Sequence, residues 1–364
     1  MMQSLPHTPQ VSAKVYLVSS NQRHGDGMDK LHFRNGLKKL GMISLLVLLS
    51  ACATSGPPHN APQDSSTNVT AYVVNDQQND FSRFAPVFIA EQTEKSFNRI
   101  GKPRAHIGDK GDEQIDVAPN HPFVYVDRQT FVTANGSYTN LIYRIHFEKT
   151  PFSLFPFHIT AGNNNGLLTV VTLNAKNRPV LITTVHTCGC FLAIVPTSYL
   201  PASAYPQDWN SDSQWIYGMT LPAQLELPEP FDDENRIVIY LKNETHRVMD
   251  IGLLTQTAIE QRYKNETLNI APIDDLMKLA IGDGTTSFFE TDGSRKGYVK
   301  GSHKPFERLL VSWWSLDWRV GEDKAFGNKD ETGTVFYTSL KPWSRQASDM
   351  WPFADFLAFW GWQL

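Results

Sequence analysis

The chain has 364 residues, with 33 Lys and Arg against 37 Asp and Glu, a formal net charge of −4. Such a balance offers no attraction to a phosphate backbone, which excludes nucleic acid as a partner. Three cysteines, Cys52, Cys188 and Cys190, complete the outline, and each asks for its own explanation.

Near the N-terminus the basic residues Lys30, Arg34, Lys38 and Lys39 precede an apolar run over residues 40–49, closed by Leu49-Ser50-Ala51-Cys52. A cationic segment stays cytoplasmic, a short apolar stretch enters the export machinery, and small residues mark a cleavage point. The run is about half the roughly twenty residues that a membrane-spanning helix needs. This arrangement resembles the signal peptide and lipobox of bacterial lipoproteins. The resemblance implies a signal peptide over residues 28–51, cleavage before Cys52 and acyl chains on that cysteine. Each buried methylene of such chains contributes about 0.8 kcal/mol to membrane binding. Because residue 53 is Ala and not Asp, the resemblance also implies the outer membrane of a Gram-negative bacterium, with the body facing the periplasm. Met28 opens a signal peptide of normal proportions, so residues 1–27 read as an extended n-region or a misassigned start.

Loss of residues 1–51 removes six Lys/Arg and two Asp/Glu, leaving 27 against 35 and a formal net charge of −8. Residues 52–75 read as the lipidated cysteine and a flexible tether, since small and polar residues dominate there. Residues 76–364 are long enough for a single globular domain.

Within that domain, strands are predicted at residues 122–126 and 130–134. They lead into Asn135-Gly136, a dipeptide suited to the positive φ angles of a type I′ hairpin turn. Residues 138–147 alternate. Leu141, Tyr143, Ile145 and Phe147 fall on one face, and Arg144, His146 and Glu148 fall on the other, lining a polar groove or facing water. A second hairpin is predicted from residues 166–173 through 174–178 to 179–185, and further strands at 191–195, 214–221, 236–242 and 248–254.

Beyond about residue 255 the pattern becomes helical. Helices are predicted at 273–281, ending at Gly282, at 305–320, with Pro305 in the first turn and Gly321 past the end, and at 352–360. The expected class is α+β: a largely antiparallel, sandwich-like or bent sheet over about 115–255, with the helices of 256–364 packed on it. An outer-membrane barrel is disfavoured by those helices.

The sharpest chemical cluster is His186-Thr187-Cys188-Gly189-Cys190. In an extended strand, alternate residues share a face, so His186, Cys188 and Cys190 would project together. Imidazole with thiolates suits zinc or copper, with His146 or His158 as a further ligand from a neighbouring strand. A local Cys188–Cys190 disulfide is the competing expectation in an oxidising compartment, with Gly189 permitting the bend. So small a ring stabilises little and, under strain, is easily reduced. Buried free thiols are the third alternative. No G-x-S-x-G, H-E-x-x-H or S-x-x-K constellation occurs, so no catalytic residue is assigned.

Aromatic residues crowd the C-terminus: Trp313, Trp314 and Trp318, then Trp343, Trp351, Phe353, Phe356, Phe359, Trp360 and Trp362. Core packing is expected for the last helix, which is apolar nearly all round. The alternative is a docking face for an envelope protein, a glycan or the membrane interface. Trp313 and Trp314 are adjacent and cannot both face one way, so one of them is expected to be exposed. The sequence thus points to a lipid-anchored envelope lipoprotein with a binding or structural role. The alternative is a periplasmic metal- or thiol-dependent enzyme or redox protein centred on residues 186–190.

Overall fold

The computed structural model describes residues 68–75 and 79–364; the expected signal peptide, Cys52 and most of the expected tether lie outside the described residues. The expected α+β class is what the structure adopts, with two main sheets and helices concentrated toward the C-terminus. The larger sheet runs in the order Asn269–Pro272, Phe123–Thr133, Gly136–Thr150, Gly162–Asn174, Pro179–His186, Ala193–Pro196. Only its first pairing is parallel. The second sheet runs Val248–Thr255, Asn235–Leu241, Val87–Ala90, Thr70–Val73, Lys264–Thr267, and mixes parallel with antiparallel pairs.

Period-two alternation along the strands sets the layers. Leu141, Tyr143, Ile145 and Phe147, with Leu167, Val171 and Leu173, pack against Tyr72, Phe88, Ile237 and Ile239 of the second sheet. Intervening residues Ile142, Leu168 and Val170 point the opposite way, into a core shared with Phe336, Met350, Phe353, Phe356 and Leu357. The larger sheet is therefore covered on both faces, once by a sheet and once by the C-terminal segment. That second cover corrects one expectation: Arg144 and His146 face neither a groove nor water, because both are fully buried. The His146 ring lies edge-on to Tyr125 and Phe288.

Local differences from the expected elements have local causes. The two strands expected within 122–134 are one, Phe123–Thr133, and its hairpin turns on Ala134-Asn135, with Thr133 paired to Gly136. Neither Asn135 nor Gly136 takes a positive φ. The strand expected over 214–221 is a hairpin, because Tyr217 and Gly218 take positive φ angles of 48° and 89° and reverse the chain. At 273–281 only a single 3-10 turn forms, Ile273–Met277. Leu279–Ile281 then pairs with Gly284–Thr286 around Gly282-Asp283. The helix expected over 305–320 ends earlier, spanning Pro305–Ser315, with Leu316 in the left-handed conformation at φ 52°. Gly321 serves instead to let the chain pass the Glu307 carboxylate, with which a Cβ there would collide. The terminal helix, Phe353–Phe359, lies where expected. Among the described residues no helix is long and apolar enough to cross a membrane.

Candidate functional site

The strand Pro179–His186 ends in a tight bend. The Gly189 amide donates to the His186 carbonyl at 2.7 Å, and the His186 amide donates to the Cys190 carbonyl at 2.9 Å. Gly189 sits at φ 91°, and any side chain there would collide with the carbonyl oxygen of Tyr337. That bend replaces the extended geometry expected for residues 186–190. It places Cys188 and Cys190 on either side of Gly189 as free thiols, close enough for each to perturb the other's protonation.

Charged groups close around the pair. Cys190 Sγ lies 3.6 Å from Glu307 Oε1. Lys304 Nζ pairs with Asp323 Oδ2 at 2.9 Å, both side chains buried. The Thr187 hydroxyl donates to Asp323 Oδ1. Lys324 is fixed twice, its amide donating to the Thr187 carbonyl and its ammonium to the Cys188 carbonyl at 2.7 Å. Arg144 donates to the Lys324 carbonyl at 2.8 Å from the sheet below. The hydrogen bond from Cys190 draws the Cys188 thiol below its usual range against burial, and Lys304 adds to the effect. The same bond, then burial, pushes the Cys190 thiol well up. Burial raises Glu307, although Lys304 and Cys190 oppose the shift. Burial alone would lower Lys304, but Asp323, Cys188 and Glu307 outweigh it and hold the ammonium charged.

The expected metal set does not converge. The His186 Nε2 meets the His246 carbonyl at 3.2 Å, His146 Nε2 accepts from Arg144 Nε at 3.1 Å, and His158 Nδ1 meets the Pro151 carbonyl at 3.0 Å. Burial first, then Lys304, takes His186 down to about 3, which keeps its ring neutral. Among the described residues no three His, Cys, Asp or Glu side chains gather to hold a metal ion.

Sequence reasoning missed Lys304, Glu307, Asp323 and Lys324. A Lys and a Glu three positions apart share one helix face, and Glu322-Asp323-Lys324 is a run of charges. Nothing in the spacing told that these faces turn inward.

The helix Pro305–Ser315 is inverted relative to an ordinary surface helix. Glu307 and Ser315 are its buried residues. Its apolar stripe faces outward, with Leu309 73 %, Trp313 71 % and Trp314 45 % exposed, followed by Leu316 at 73 % and Trp318 at 65 %. Both adjacent tryptophans are thus open, not one. The patch continues at both ends. Phe306 stacks on Phe152 at 5.2 Å and meets Phe157 at 5.5 Å, in a loop whose Phe155 is 96 % exposed. At the other end Arg345 donates to the carbonyls of Leu316 and Ser315, beside exposed Trp343. A groove of about 450 Å³ runs along the helix, lined by His303, Arg308, Leu309, Ser312, Trp313 and Trp318. The Arg308 guanidinium lies 3.8 Å from the centre of the Trp318 ring.

Neither a family model, nor a curated protein, nor a solved structure matches this chain.

Proposed function

We propose that this protein is a lipid-anchored lipoprotein of the bacterial envelope with a binding role, its body seated on the bilayer surface by the tryptophan helix. One observation carries the reading: an amphipathic helix whose apolar side, rich in Trp and Leu, is turned to the outside. Exposed apolar patches of this kind mark interaction surfaces. The bilayer suits this one because Trp belongs at the depth of the lipid headgroups, where its ring is apolar and its N–H is wet. Arg308, Arg319 and Arg345 fringe the patch and fit the anionic headgroups beside it.

Magnitudes agree with a shared task. Covering a large apolar side chain contributes about 1.5–3 kcal/mol, so a few of them match the marginal binding of one acyl chain, on the order of 10⁴ M⁻¹. Several acyl chains on Cys52 anchor the chain by themselves, and the helix adds a contact comparable to one such chain that seats the body on the surface. The lipobox-like sequence, with Ala53 after the cysteine, directs the proposal to the periplasmic face of the outer membrane.

The anchor is tested by mass spectrometry of the native N-terminus. An acylated peptide beginning at Cys52 is expected, and a bare terminus, or one at any other position, overturns the reading. Fractionation supplies the second arm: Cys52→Ala weakens membrane retention, and adding Trp313→Ser and Trp318→Ser abolishes what remains. Full retention of the triple variant would place attachment elsewhere, on another envelope protein or a glycan.

A further inference from the structure

The membrane-facing role leaves the thiols unexplained. They lie on the inner side of the same helix, in a cluster with Lys304, Glu307, Asp323 and Lys324 that is almost wholly buried. Buried ion pairs are poor devices for stability, since desolvation costs several kcal/mol per ion and a well-packed apolar replacement does as well. Clusters of perturbed, partnered ionisable groups mark chemical sites. Three geometric facts bear on which chemistry this is. Cys188 and Cys190 flank a tight bend that Gly189 holds, closed by the backbone hydrogen bonds between residues 186, 189 and 190. Cys188 is fully buried while Cys190 is partly exposed. Cys190 Sγ lies 3.6 Å from the Glu307 carboxylate, and the Lys324 ammonium donates to the Cys188 carbonyl at 2.7 Å.

We propose that Cys188 and Cys190 are a thiol–disulfide exchange pair which, as the disulfide, takes two electrons from a substrate dithiol at the accessible Cys190 sulfur. In the first step a substrate thiolate attacks Cys190 Sγ. The Cys188–Cys190 bond breaks, and Cys188 leaves with the electron pair as a thiolate facing Lys304. A stabilised leaving thiolate departs faster. In the second step the other substrate thiolate attacks the substrate sulfur of the mixed disulfide. Cys190 leaves as a thiolate and takes a proton from the buried Glu307 carboxyl. The substrate has then formed its own disulfide, losing two electrons and two protons. The pair has become the dithiol described above, and Glu307 and Cys188 recover protons from solvent. A second disulfide compound, reduced in turn by the reverse exchange, restores the oxidised pair. An eleven-membered Cys-Gly-Cys ring suits this role, since strained disulfides are the readily reduced ones.

The test is independent of where the protein resides. The full chain is equilibrated with mixtures of reduced and oxidised glutathione, then alkylated, and the peptide holding Cys188 and Cys190 is weighed. A single reversible two-thiol transition is expected. Cys188→Ser should accumulate glutathione on Cys190, whereas Cys190→Ser should react at least about tenfold more slowly, because its remaining sulfur is buried. The wild-type transition needs no variant to fold, and matched melting curves qualify the two serine variants. Two thiols that stay reduced under every mixture, or single variants of equal reactivity, would overturn the proposal.

Discussion

The tryptophan helix and the terminal helix are both rich in large apolar residues, Leu and Phe in each, and put them to opposite uses. In Phe353–Phe359 the side chains of Phe353, Phe356 and Leu357 are buried against Ile142, Leu168 and Val170 of the larger sheet. In Pro305–Ser315 the apolar residues turn outward, and the buried positions go to Glu307 and Ser315. The difference lies in what each helix covers. The sheet beneath the terminal helix is apolar, whereas the floor beneath the tryptophan helix is the Cys188–Cys190 bend with its charged surroundings. A polar floor selects the polar stripe of the helix, and the apolar stripe is left facing outward. Aromatic content by itself therefore says little about burial; the neighbour decides.

The sharpest way to break this comparison is to truncate aromatic residues in each of the two regions. Phe356→Ala should cost about 3–5 kcal/mol in a denaturant titration, the penalty of an emptied core site, and leave binding to vesicles unchanged in the folded protein. An intermediate effect comes from acid and probes the inner side of the tryptophan helix. His186 and His246 are both held near about 3 by burial, against an ordinary value of 6.5. Because the folded values are depressed, the unfolded chain binds protons more tightly. The stability they contribute is present above pH 6.5 and lost as pH falls toward about 3. At pH 5 each should forfeit about 2 kcal/mol, and neutral substitutes at both positions should flatten the profile. The smallest stability effect belongs to Trp313→Ser with Trp318→Ser, within about 0.5 kcal/mol as for other exposed sites. A large loss of stability there would mean that the outer stripe belongs to the core and would remove the contrast.

Legibility in the sequence followed the strength of each local signal. The alternation in 138–147 and the hairpin through 174–178 were plain, because one face of each strand is apolar and the turns carry Gly, Asn and Pro. Thr70–Val73, read as part of a tether reaching to residue 75, is instead a buried strand of the second sheet, and Val87–Ala90 was missed with it, because four-residue strands have too few positions to show a period. Lys102–Ile107 and Glu113–Ala118 were missed because they are polar and partly exposed. Arg144 and His146 misled for a different reason: a polar face on a strand reads as wet, yet here the C-terminal segment covers it. The thiols were singled out from their spacing. Their carboxylate and ammonium neighbours, more than a hundred residues away in the chain, become neighbours only through the fold.

The seating of the tryptophan helix in the lipid interface is the claim on which the functional account turns. Its most direct test is fluorescence of the protein as purified from membranes, reconstituted in phosphatidylethanolamine–phosphatidylglycerol vesicles containing brominated acyl chains. The account predicts strong quenching that falls away when Trp313, Trp314, Trp318 and Trp343 are replaced by Tyr. Emission unaffected by the brominated lipid, or quenching that survives those replacements, would contradict it.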